Sequence, residues 1–220
     1  MQLKRVFGSF SVVLFTFVLG GLLFVTSIAC TGEPPAQPLS NVSGTVEAVQ
    51  AVSSNVRVPF PSYGSGPIEV RVYTNYFCAA CRAMEPEVEP ILKELLKTNM
   101  IRLILVDFPF DERTNLLARN FLYAIRENND LAHALQVRDI LIEASTDDNI
   151  TTQKHIEALF NKKGIPFSVF DVEAIFERYK NLIKDGNVKR TPTCVIVKED
   201  QKKRRFSGGP QIVDALNALK

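Results

Sequence analysis

Residues 70–86 read VRVYTNYFCAACRAMEP, and the succession of residue types in them governs how the rest of the chain is read. Residues 68–73, IEVRVY, alternate apolar and polar positions in β-favouring types, which predicts a strand. From Cys81 to Lys97 the period lengthens, and Met84, Val88, Ile91, Leu92, Leu95 and Leu96 fall on one helical face. Cys78-Ala79-Ala80-Cys81 therefore stands where a strand gives way to a helix. Pro86 and Pro90 lie inside that segment, and an interior proline costs about 3 kcal/mol. The helix is expected to kink near Pro86 or to begin in earnest after it.

Two cysteines two residues apart at such a junction point to thiol chemistry. The thiolate is the nucleophile, and a free cysteine with a pKa of about 8.5 is only slightly ionised at neutral pH. A helix start presents unpaired N–H groups and the positive end of its dipole, which favours an anion at the first cysteine. The spacer lets the second sulfur, one turn inside the helix, reach the first. On this reading Cys78 is the exposed attacker and Cys81 the buried resolver, with Arg82 adding a nearby positive charge. A structural zinc needs four ligands. Beyond the pair only Cys194, His133 and His155 remain, none paired at ligand spacing, so no metal is expected. His133 and His155 fall on helical segments and are read as surface or half-buried. A purely structural disulfide within a single turn closes almost no loop and stabilises little. Redox exchange is the reading that uses this spacing.

Outward from the motif, residues 101–106, IRLILV, form a nearly continuous apolar run, as expected of a strand covered on both faces. Between Asp111 and Asp185 the pattern is helical throughout. Leu116, Leu117, Phe121, Ala124 and Ile125 make one stripe, and Leu131, Leu135, Ile140 and Leu141 a second. Thr151 opens a third helix that stops at Gly164, and residues 168–184 supply a fourth. Residues 193–197 and 203–206 read as strands, and a last amphipathic helix carries Ile212, Ala215, Leu216 and Leu219. The order is strand, helix, strand, helical block, strand, strand, helix. The first two strands should be parallel, joined by a right-handed crossover, and the last two an antiparallel hairpin. The run Lys202-Lys203-Arg204-Arg205 falls on that hairpin. It reads as a solvated edge, with an acidic partner surface as the sharper alternative.

The chain begins differently. Lys4 and Arg5 precede an uncharged stretch from Val6 to Ala29, and Ser27-Ile28-Ala29-Cys30 closes it. These are the parts of an export signal. At 1.5 Å per residue the 24-residue stretch also suffices, as a helix, to span a bilayer core of about 30 Å. Lipidation of Cys30 after cleavage, an uncleaved anchor, and simple release all remain open. Ser27 departs from the large aliphatic residue that lipoprotein processing favours. Each outcome places residues 31–220 outside the cytoplasm, where disulfides persist. Without Lys4 and Arg5 the formal charge of +2 vanishes, so bulk charge implies no nucleic-acid partner. Residues 31–66 are rich in proline, serine and glycine and read as a tether, in which Val42, Val46, Val52, Val56 and Val58 offer a weak edge-strand pattern. Asn41 and Asn149 open acceptor-like triplets of little specificity. The folded domain is expected over residues 67–220.

The motifs then combine into a resemblance. Residues 70–86, with Pro86 five residues after the second cysteine, resemble the active-site strand and helix of thioredoxin-fold proteins. Asp107-Phe108-Pro109 resembles the end of the second strand in DsbA-like members, after which a helical domain is inserted, here about residues 111–185. Arg190-Thr191-Pro192-Thr193 resembles the cis-proline loop, although Pro192 also fits a plain strand-initiating proline. The resemblance covers about residues 66–220. It implies an α/β thioredoxin fold (βαβ–ββα) with an inserted helical domain, and no cofactor. It also implies a monomeric protein disulfide oxidoreductase in which Cys78 and Cys81 carry the chemistry. Pro192 is then expected against the cysteine pair, with Thr191 offering backbone hydrogen bonds to an extended substrate. Val72 departs from the pattern, because the family often carries a buried acid there, and another group or water must take the resolver's proton. Ala79-Ala80 lacks the histidine of strongly oxidising relatives, so the couple is expected to be less oxidising. Cys194, in the apolar run TCVIV, reads as a core thiol or an alternative disulfide partner. The leading function is an extracytoplasmic oxidase of exported protein thiols, recycled by a membrane redox partner. The alternatives are a reductase, for example in cytochrome maturation, or a metal-binding module built on Cys78, Cys81 and Cys194.

Overall fold

The computed structural model describes residues 59–108, 111–198 and 200–220. The leader, Cys30, Asn41, Pro109 and the valines between residues 42 and 58 lie outside the described residues. Among those described, strands β1 (Ser62–Tyr63), β2 (Ile68–Thr74), β3 (Ile101–Asp107), β4 (Thr193–Val197) and β5 (Lys203–Ser207) form one sheet in the order β1-β3-β2-β4-β5. The helices are α1 (Ala79–Lys97), α2 (Glu112–Glu127), α3 (Leu131–Ser145), α4 (Gln153–Lys163), α5 (Glu173–Asp185) and α6 (Gly209–Asn217). β2 and β3 are parallel, and β4 and β5 are antiparallel, as their connections require. None of these helices is long and apolar enough to cross a membrane.

The period of two in β2 sorts its side chains between two covered faces. Val72 and Thr74 share a lining with Met84, Val88 and Leu92 of α1, so that face belongs to α1. Arg71 and Tyr73 point the other way, Arg71 pairing with Asp185 at 2.6 Å and the Tyr73 hydroxyl donating to the Leu182 carbonyl at 2.9 Å, both on α5. β3 lies between β1 and β2 and is buried along six of its seven positions, which explains its unbroken apolar run.

Three elements depart from expectation. α1 starts at Ala79 and continues through Pro86 and Pro90. Both prolines are exposed, so they lie on the solvent side of the helix, where a lost backbone hydrogen bond is tolerated best. The fourth helix of the block begins at Glu173, five residues later than its apolar pattern suggests. Phe167 and Phe170, just ahead of it, are packing anchors, Phe167 tilted against Phe160 and Phe170 edge-on to Tyr123, with centroids 5.8 Å apart in each pair. The stretch expected as tether enters the fold at its end: β1 pairs antiparallel with β3, Tyr63 is buried, and the Leu105 N–H donates to the Pro61 carbonyl at 3.0 Å. Without β1 the buried β3 would be an open sheet edge.

The block itself follows its punctuation. Asp111, Asp130 and Thr152 cap α2, α3 and α4 through side-chain oxygens, and α4 ends at Gly164 in the left-handed conformation (φ 69°). β5 is the far edge, with Lys203, Arg204 and Arg205 exposed, which blunts it against pairing with another chain.

Candidate active site

The β2–α1 junction places the two cysteines by backbone geometry. Cys78 is the N-cap of α1, extended at φ −80° and ψ 106°, and its Sγ accepts the Cys81 N–H at 3.2 Å. The sulfur thus fills the place that a serine or aspartate oxygen usually takes at a helix start. Cys81, one turn inside, is buried while Cys78 is half-exposed, and both are free thiols. Burial, reinforced by the neighbouring Cys78 thiol, pushes the Cys81 thiol up to about 12.

The loop before β4 closes over the pair. The Cys78 thiol donates to the Thr191 carbonyl at 3.6 Å, across 113 residues of sequence. The Thr191–Pro192 peptide is cis and Pro192 is buried. The Thr191 carbonyl, at the head of this cis peptide, is thus brought to the cysteine pair. Cys194 does not join them as a third thiol: it pairs in register with Val72, fully buried, and burial pushes its thiol up to about 12. His155 is exposed on α4, where its Nδ1 accepts the Thr151 N–H at 3.2 Å, and His133 is half-buried on α3. Among the described residues no group of three or more His, Cys, Asp or Glu side chains is placed to hold a metal ion.

A family model described as Thioredoxin matches residues 64–214. The chain belongs to the thioredoxin family. Its fold is shared by a periplasmic thioredoxin-like protein of Salmonella enterica serovar Typhimurium (TM-score 0.53, 20% identity, 73% of this chain and 87% of that one). It is shared also by α-DsbA1 of Wolbachia pipientis (TM-score 0.56, 16% identity, 74% and 92%). A linker-deleted ScsC of Proteus mirabilis is similar as well (TM-score 0.55, 17% identity, 73% and 75%). No curated protein sequence matches the chain.

In this thioredoxin-family chain, residues 75–77, just before Cys78, are held by a polar network with no single motif in the sequence. The Asn75 amide donates to the Phe108 carbonyl and to Thr114 Oγ1, each at 3.1 Å, and its Oδ1 accepts the Phe77 N–H at 2.8 Å. The Tyr76 carbonyl accepts from Arg82 at 3.0 Å and from Ser145 Oγ at 2.9 Å. Arg82 is thus committed to the loop backbone. The Tyr76 hydroxyl donates to Asp107 Oδ2 at 3.1 Å, at the buried end of β3. Arg138 of α3 completes the network, donating to Asp107 Oδ1 at 3.0 Å, Thr74 Oγ1 at 2.7 Å and Glu85 Oε1 at 2.9 Å. Burial raises the Tyr76 phenol well above its ordinary value, so it stays a donor. Two features of the sequence signal such a network: Asp107 ends an apolar strand, and Arg138 interrupts the apolar face of its helix.

Val72 faces a crevice between α1, the sheet and α3. A cleft of about 30 Å³ is bordered by Val72, Thr74, Glu85 and Arg138, enough for one water molecule. Glu85 lies one helical turn beyond Cys81 and borders it.

Proposed function

We propose that the chain is an extracytoplasmic thiol–disulfide oxidoreductase whose Cys78–Cys81 pair oxidises the thiols of exported proteins. The observation that carries this reading is the half-exposed Cys78 sulfur at the N-cap of α1, with the buried Cys81 thiol behind it and the Thr191 carbonyl 3.6 Å away. In the oxidised form a substrate thiolate attacks Cys78 Sγ, the Cys78–Cys81 bond breaks, and Cys81 leaves and takes up a proton. A second substrate thiolate then attacks its own sulfur in the mixed disulfide. The substrate leaves oxidised, the two electrons remain on the protein as the dithiol, and a membrane partner that accepts them restores the disulfide. The substrate lies as an extended segment along Thr191 and Pro192. With Val72 in place of a buried acid, solvent water takes the resolver's proton when the exchange runs in the other direction. The leader ending at Cys30 supports export and a membrane tether.

Equilibration of the protein with glutathione tests the reading and its direction together. A potential towards the roughly −120 mV of DsbA marks a disulfide donor, and one near the roughly −270 mV of thioredoxin marks a reductase. No reversible two-electron couple at all would overturn exchange chemistry. Cys78→Ser is expected to abolish turnover, and Cys81→Ser to accumulate mixed disulfides with partners.

A further inference from the structure

Beside the nucleophile, on the side of α2, lies a pocket of about 200 Å³ lined by Asn75, Phe77, Cys78, Asp111 and Thr114. Its walls differ in kind. The half-buried Phe77 ring is apolar, and Arg113 lies over it with its guanidinium 4.6 Å from the centroid. Asp111 is the pocket's one carboxylate, oriented by the Thr114 N–H at 2.8 Å and Thr114 Oγ1 at 3.0 Å. These donors lower its pKa, so it is charged at neutral pH. Among the described residues no lysine or arginine forms a salt bridge with it, and Arg113, whose guanidinium lies over Phe77, acts on it only through its backbone N–H and the reach of its charge. The residues that lead into Thr191 include exposed Lys189 and Arg190, which disfavour a cation on that side of Cys78.

We infer that this pocket is a specificity subsite that takes a lysine or arginine neighbouring the cysteine of the exchanging segment. The aliphatic stem lies along Phe77 and the cationic head meets the Asp111 carboxylate, as long basic side chains divide themselves between apolar and charged surroundings. The inference rests on the exchange chemistry proposed above and names the class of segment it acts on.

The test uses the full chain carrying Cys81→Ser, reduced, and short peptides whose single cysteine is disulfide-linked to thionitrobenzoate. The Cys78 thiolate attacks the peptide sulfur, the peptide–thionitrobenzoate bond breaks, and the coloured thiolate leaves, so the exchange balances without another oxidant. Peptides carry Lys, Ala or Glu at either neighbour of the cysteine. At one of these neighbours the Lys peptide is expected to react about fivefold faster than the Glu peptide, an effect of the size of one partly screened ion pair. The preference should shrink in high salt. In Asp111→Asn, which keeps a good helix cap, the Lys-to-Glu ratio should fall towards one, while Glu112→Gln should retain most of it. Equal rates for all peptides, a ratio unchanged in Asp111→Asn, or a ratio lost only in Glu112→Gln would each overturn the subsite while leaving exchange intact. Release of colour from none of the peptides would overturn the exchange chemistry and the subsite with it.

Discussion

Arg138 meets Asp107 inside the molecule at 3.0 Å, with side-chain exposures of 5% and 1%. The pair ties the helical block to the end of β3, and through Tyr76 to the residues that lead into Cys78. A charge taken out of water is tolerated only while its partner stays. Arg138→Met is therefore expected to cost about 3–5 kcal/mol in urea unfolding, because it strands the Asp107 carboxylate. Combining Arg138→Met with Asp107→Leu should recover much of that loss. A double variant no more stable than Arg138→Met would show that the pair is not what holds α3 to the sheet.

The Cys81 thiol sets a pH dependence. Its folded value of about 12 lies above that of an unfolded thiol, so between the two the native dithiol binds more protons than the unfolded chain. Its contribution to stability is fully present below about pH 8.5 and is lost as the pH rises towards 12. The same elevation makes Cys81 a reluctant nucleophile. Its attack on a mixed disulfide at Cys78 is expected to accelerate about tenfold per pH unit between pH 7 and 10, measurable by stopped-flow quenching. A pH-independent rate over that range would contradict a proton-limited resolver.

The three described cysteines should separate by accessibility. Under native reducing conditions an alkylating reagent is expected to modify Cys78 first and Cys81 slowly. Cys194, fully buried with its thiol near 12, should react only on unfolding. Mass spectrometry of time points reads this order. Early modification of Cys194 would argue that β4 opens beside the site.

Residues 59–66 should behave as part of the domain. Gly66 passes so close to the start of β3 that an added Cβ would lie 2.3 Å from the Ile101 nitrogen and 2.4 Å from the Met100 carbonyl carbon. Backbone atoms cannot step aside as side chains do. Gly66→Ala is expected to cost about 1–3 kcal/mol, read by thermal or urea unfolding. A neutral effect would mean that the approach of this segment to β3 relaxes freely.

Local pattern alone determined much of this protein. The two-residue period at residues 68–73, the helical stripe after Cys81 and the apolar run at residues 101–106 are written in consecutive side chains, because strand and helix present their faces at fixed spacings. The stop at Gly164 is likewise local, and so is the C-x-x-C at a strand-to-helix junction. Tertiary structure decided what depends on distant partners. Whether Ser62 and Tyr63 form a strand rests on the need of β3 for a neighbour, since their own composition speaks for a linker. The proximity of Thr191 to Cys78 spans 113 residues, and the meeting of Tyr76, Glu85, Asp107 and Arg138 brings together four separate elements and loops. No periodicity records such meetings, because a buried charge is stabilised by whichever partner the packing delivers and not by its neighbours in the chain.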